Sequence, residues 1–216
     1  METWQFFTQN WHQTLELAWQ HAWVVAIAVS IAMATGVPIG IWITFNDKAA
    51  DTVLYVAGII MTIPSIALFG IMIPLLSVFG HGIGTVPAVV ALVLYSQLPI
   101  IRNTYAAIRS VDPTIIDAGI GMGMTRWQVL GRVQLPMALA VIFAGVRVAV
   151  VMSIGIGAIA AYIGAGGLGH LIFMGINQTY DAMINCGAVA VAVMAIVVDF
   201  LFGLIENRLV SKGLRP

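Results

Sequence analysis

The charged side chains of this sequence gather in one place where they could grip a partner, and elsewhere they are too scattered for catalysis. Residues 112–136 hold Asp112, Asp117, Arg126 and Arg132 between long runs that carry almost no charge. Their spacing predicts two short helices joined by a tight turn. Asp112 can cap the first, with Pro113 at the first helical position, where its missing N–H is harmless. Gly123 suits the left-handed residue that ends that helix. Thr125 opens the second helix, Gln128 completes a capping box, and Pro136 is expected to close it. A charged helix–turn–helix between apolar runs is a docking surface for something in the water phase.

The remaining reactive groups point away from an enzyme. Only Arg147 and Asp199 fall well inside apolar runs. Two arrangements are open to them: a pair across two helices, or Arg147 reaching for the interface while Asp199 stays hydrogen-bonded. No chain of further acids and histidines continues from them, so a proton relay is not supported. His12, His21, His81 and His170 are dispersed without metal-ligand spacing and are expected to be solvated on the outer side. The single Cys186 permits neither a disulfide framework nor a thiolate cluster. A membrane-embedded enzyme would need such groups clustered at one depth. The run Gly-Ala-Gly-Gly-Leu-Gly at 164–169 lacks the preceding strand and later acid of a dinucleotide fingerprint, and reads as a flexible corner on the outer face. No GxxxxGK[ST] occurs, so ATP hydrolysis is not expected of this chain.

The elements that must position these groups are membrane helices. Of the 216 residues, 61% are hydrophobic and 8% charged, against about a quarter charged in soluble domains. Mean hydropathy is +1.01, so most of the chain belongs in lipid. The zero net charge argues against nucleic acid as a partner. Five spans are expected, roughly 22–45, 53–76, 84–104, 137–162 and 183–205, with a cytoplasmic loop at 105–136 and a tail at 206–216. Lys48, Arg102, Arg109, Arg126, Arg132, Arg208, Lys212 and Arg215 all fall on one side. The positive-inside rule then places the N-terminus outside and the loop and C-terminus in the cytoplasm. The first 21 residues lack Lys and Arg, so no cleavable signal peptide is expected. Their aromatic stripe, Trp4, Phe7, Trp11, Leu15 and Trp19, predicts a helix in the outer interface.

Small residues line two spans. Gly145, Ala149, Ser153, Gly157 and Ala161 form one row; Ala188, Ala192, Ala195 and Gly203 form another that shares its face with Asp199. Such rows allow close helix approach. Pro38, Pro64, Pro74, Pro87 and Pro99 are expected to interrupt or kink the first three spans. Thr62, Pro64 and Ser65 are the candidate pathway groups, the alternative being a helix that is merely bent there.

The 112–136 segment resembles the cytoplasmic loop of ABC-importer permeases, whose signature runs Glu-Ala-Ala, three residues, Gly, nine residues, Ile-x-Leu-Pro. Here Asp117-Ala118-Gly119, Gly123, Val133, Leu135 and Pro136 keep every gap, with Asp for Glu and Gly for the second Ala. The resemblance extends from about residue 20 onward. The stretches Thr62–Phe69, Leu98–Tyr105, Val111–Pro113 and Gly121–Thr125, with the 164–169 corner, are similar to the osmoprotectant branch, which imports glycine betaine, carnitine, choline or related quaternary amines. The resemblance implies an all-α type I permease of five transmembrane helices in the bacterial cytoplasmic membrane. Two permeases, identical or paralogous, would work by alternating access. A binding protein would deliver solute from outside. Cytoplasmic ABC ATPase subunits, using ATP and Mg, would grip Asp117, Ala118, Gly119, Gly123, Thr125, Arg126, Leu135 and Pro136. The chain itself would bind no cofactor or metal. A methionine-like amino-acid importer permease and a non-transporting scaffold are the alternatives.

Overall fold

The computed structural model describes residues 2–209, so Lys212 and Arg215 of the expected tail lie outside the described residues. Every regular element among the described residues is helical. In chain order they are α1 (Glu2–Gln9), α2 (Trp11–Trp42), α3 (Asp47–Thr62), α4 (Ser65–Ser77), α5 (Thr85–Arg109), α6 (Pro113–Gly121), α7 (Arg126–Val129), α8 (Leu135–Ala160), α9 (Gly169–Gln178) and α10 (Asp181–Leu209). Four helical stretches are long and apolar enough to cross a bilayer: Trp11–Phe45, Thr85–Arg109, Arg126–Ile163 and Asp181–Glu206.

α3 and α4 are together long and apolar enough for a fifth, but they meet at an angle of 100°. Neither is long enough alone: 16 and 13 residues rise about 24 and 20 Å, against a hydrocarbon core of about 30 Å. The expected span at 53–76 is therefore two helices broken at Ile63–Pro64. Pro64 has no N–H to continue α3, and it forces the preceding Ile63 into extended backbone at φ −68°, ψ 127°. The Tyr95 hydroxyl donates to the Ile63 carbonyl that the break leaves open. The other prolines do not interrupt their helices. Pro38, Pro74 and Pro99 lie inside α2, α4 and α5, and Pro87 sits in the first turn of α5.

The first crossing also differs from expectation. Residues 11–21 are the opening turns of α2, not a separate surface segment, and only α1 stands apart. Trp4, Trp11, Leu15 and Trp19 nevertheless remain exposed along one outward stripe. α1 folds back toward the start of α10, with Phe6 edge-on to Tyr180 at 5.6 Å.

The core lies where α2, α5 and α8 cross. Ala28, Ala32, Ala91, Leu92, Ile100 and Ala149 are fully enclosed there. Small residues set the spacing: a Cβ on Gly145 would stand 2.5 Å from Asn103 Cβ and 2.9 Å from the Pro99 carbonyl. Gly36 and Gly40 of α2 meet Ile100 and Thr104 of α5 equally closely. Ser96 donates to Leu92 O at 2.8 Å, which leaves Ser153 of α8 to donate to Ser96 at 3.0 Å. The first predicted small-residue row is thus an interior seam. The row on α10 is not: Ala188 and Ala192 are exposed, and only Ala195 and Gly203 are half-covered.

His21 is a further correction. It is 2% exposed, and its Nε2–H donates to the Ile154 carbonyl of α8 at 3.0 Å. The 164–169 corner wraps around it, with Gly167 at φ 81° bringing its Cα against the imidazole. Ala165, Gly167, Leu168 and Gly169 are buried, so these glycines serve a close-packed path and not a flexible one.

Candidate functional site

The charged surface of residues 105–136 is built by local chemistry that the structure displays in full. The backbone N–H and hydroxyl of Thr114 both donate to Asp112 Oδ1 at 2.8 Å, capping α6. These bonds favour the ionised form and hold the Asp112 carboxyl below its ordinary range. At the other end Gly123 adopts φ 85°, its N–H donating to Ile120 O at 2.9 Å and that of Met124 to Gly119 O at 3.1 Å. That pair of bonds is a Schellman termination, and it requires the left-handed residue that glycine supplies. Thr125 and Gln128 form a reciprocal capping box, Gln128 Oε1 accepting from Thr125 N at 2.8 Å.

α7 is fastened to the rest of the surface. The Trp127 ring lies 5.2 Å from that of Phe45, which ends the helical extension of α2. Arg109, on the last turn of α5, pairs with Asp47 at the start of α3 at 3.3 Å. Between these elements opens a cleft of about 550 Å³ lined by Thr44, Ile108, Arg109, Ile120, Arg126 and Gln134. Asp117, Ala118, Gly123, Thr125, Arg126 and Pro136 are exposed, Leu135 is half-buried, and Gly119 is buried against α7. Trp127 and Met122, at 70% and 77% exposure, project from the same surface. A tryptophan beside an arginine on a polar helix, as Arg126-Trp127 stand here, is a signal of a contact surface.

Pro136 does not close the second helix. The chain runs from α7 through a π-helical turn, Leu130–Gln134, directly into α8, whose first turn holds Pro136. The wider turn accommodates a residue that cannot donate to the ladder. α7 and α8 are therefore one continuous rod with a joint in it.

The other candidates separate into two places. Thr62 and Pro64 are exposed at the α3–α4 break, and Ser65 is half-buried. Thr62 Oγ1 donates to its own helix, to Ile59 O at 2.7 Å. Arg147 and Asp199 do pair: Nε and Nη2 donate to the two carboxylate oxygens at 2.6 and 2.7 Å. Glu206, which the sequence reading did not include, accepts from Arg147 Nη1 at 3.2 Å. Its seven-residue spacing from Asp199 puts both carboxylates on one helix face.

Four long apolar helices, a broken helix pair with exposed polar groups and a capped, charged turn continuous with a core helix define a multi-pass membrane protein. Residues 36–212 match the family described as the binding-protein-dependent transport system inner membrane component, and the chain belongs to that family. It is 50% identical over its whole length to the osmoprotectant import permease protein OsmW of Salmonella typhimurium, covering 100% of both chains. It is 42% identical to the carnitine transport permease protein OpuCB of Listeria monocytogenes, covering 97% of this chain and 94% of that one. Identity to the choline transport system permease protein OpuBB of Bacillus subtilis is 40%, over 98% and 95%. Among solved structures, an inward-facing methionine ABC transporter, MetNI, superposes with a TM-score of 0.81 at 25% identity, covering 89% and 94%. The fold is that of a type I ABC importer permease in the inner membrane.

Proposed function

We propose that this chain is the permease subunit of an ATP-driven importer for compatible solutes of the betaine, carnitine and choline class. The full-length likeness to relatives named for those solutes carries the reading. The methionine-like alternative has only the lower 25% identity behind it, a likeness that speaks to fold. In this reading α6, the Gly123 turn and α7 dock on cytoplasmic ATPase subunits, which bind and spend ATP and Mg; this chain binds neither. The asymmetry of Lys and Arg supports an outside N-terminus and a cytoplasmic docking surface. Closure of the ATPases pulls on α7, and the continuous rod into α8 carries the motion to α5 and α2 across the glycine-spaced seam.

The solute route in this reading passes the α3–α4 break. Irregular backbone at membrane depth is stable only when covered by protein or facing water, and here Thr62 and Pro64 are uncovered in the single chain. A second permease, identical or paralogous, closes the other side of that route, and a binding protein loads it from outside. The test is uptake in proteoliposomes holding this chain with its ATPase and binding protein. Radiolabelled glycine betaine, carnitine or choline should accumulate only with ATP inside the compartment that holds the ATPase. Uptake of methionine alone, or uptake unaffected by ATP depletion, contradicts the reading.

A further inference from the structure

The Arg147 cluster is a polar link between two helices that otherwise meet through apolar side chains, Val146, Val150 and Ile154 of α8 with Met194, Ala195, Val198 and Phe202 of α10. α10 has no charged side chain between Asp181 and Asp199, and its long apolar faces are open: Val193, Ile196, Val197 and Phe200 are all exposed. In lipid such faces gain little by packing on another helix, because hydrocarbon is as good a neighbour. α10 is instead bound tightly to α9. A Cβ on Gly187 would lie 2.8 Å from Ile172, and one on Gly175 would lie 2.8 Å from the Ile184 backbone nitrogen. α9 in turn begins at Gly169, whose Cα faces the Ala158 backbone of α8 with no room for a side chain. The α9–α10 hairpin thus has a close backbone attachment to α8 at Ala158, and its other contacts with α8 along α10 are apolar side chains that lipid could replace.

Its polar attachment is the cluster. Arg147 lies eleven residues earlier on α8, about 16 Å along the helix. It grips Asp199 with two parallel bonds and Glu206 with a third. Phe143 stacks on Phe202 at 5.3 Å one turn away. A bidentate guanidinium fixes angle as well as distance, which a point charge would not. Apolar contacts let two helices slide; the fork holds them in register.

We propose that Arg147 is a positioning residue: with Asp199 and Glu206 it yokes α10 to α8, so that motion delivered to α7 turns α10 together with α8. The proposal rests on the importer reading above. Without the yoke α10 slides on α8 and the stroke is lost before it reaches the hairpin.

The test uses the whole reconstituted transporter, with radiolabelled glycine betaine as the probe and ATP hydrolysis measured in parallel. Arg147→Met should lower uptake per ATP about tenfold while hydrolysis stays within about twofold, the scale of a severed contact between coupled elements. Arg147→Lys, keeping charge but not the fork, should lose about threefold. A short thiol crosslinker joining Phe143→Cys to Phe202→Cys, in an Arg147→Met, Cys186→Ser background, should restore coupling. Wild-type coupling in Arg147→Met overturns the proposal. So does a parallel fall in uptake, hydrolysis and assembled complex that the crosslink fails to reverse, which marks a structural role alone. A wild-type complex with no ATP-dependent uptake of any of the three solutes contradicts the importer reading itself.

Discussion

Replacing Gly123 isolates backbone strain from every other effect at the docking surface. No atom lies within 4 Å of the position a Cβ would take there, so a new side chain meets open space. The whole cost arises from φ 85°, which L-residues rarely adopt. Alanine should cost about 1 kcal/mol, and valine about 2 kcal/mol because its branched Cβ is least tolerant of the left-handed region. Asparagine, the usual substitute at this position, should cost less than alanine. If that strain is relieved by opening the turn, Met124 and Gly123 release the carbonyls of Gly119 and Ile120, and α6 loses its fixed angle to α7. At about 1.4 kcal/mol per factor of ten, the competent docking geometry should fall roughly fivefold for alanine and about thirtyfold for valine. Uptake per ATP in proteoliposomes should follow the order glycine, asparagine, alanine, valine, with membrane insertion unchanged throughout. If valine couples as well as glycine, or asparagine fails as badly as valine, the left-handed turn is not what transmits force.

Two substitutions and one insertion probe separate links. Gly119→Ala should stabilise α6 by about 0.5–1 kcal/mol, seen as slower amide exchange, because its Cβ would meet Met124 and Val129 at an ordinary 3.4 Å while helix propensity improves. Gly145→Ala should destabilise the bundle by about 1–3 kcal/mol in thermal unfolding in detergent, because its Cβ would overlap Asn103 of α5. Inserting an alanine beside Gly131, a position with nothing within 4 Å of its Cβ site, adds a residue to a turn that already absorbs an extra one and should rotate α7 by about 100° relative to α8. Co-purification of the ATPase should then be lost although the chain still inserts.

The features legible in the sequence were those decided by neighbours in the chain. The Asp112–Pro113 start, the Gly123 stop and the Thr125–Gln128 box each depend on a few consecutive residues, and each stands in the structure where its spacing placed it. Prolines were less readable. Pro64 breaks its helix by 100° whereas Pro38 and Pro99 do not, and the difference lies in surroundings: Tyr95 is placed to satisfy the carbonyl at the first. Pro136 looked like a terminus because the π turn that absorbs it has no signature of its own. His21 looked solvated because its partner, Ile154, is far away in sequence. Arg147 and Asp199 were visible as rare charges in apolar runs, but a choice between pairing and separation needed the helices' relative rotation, and Glu206 entered only with it.

Whether an ATPase grips the 113–134 surface from the water phase can be read directly by crosslinking. Single cysteines along α6 and α7, in a Cys186→Ser background, can be crosslinked in membranes that contain the assembled transporter. The account predicts adducts with the nucleotide-hydrolysing subunit, strongest beside Met122 and Trp127, and no labelling of those cysteines by a membrane-impermeant thiol reagent added outside intact cells. Labelling from outside, or the absence of any adduct with that subunit, would contradict it.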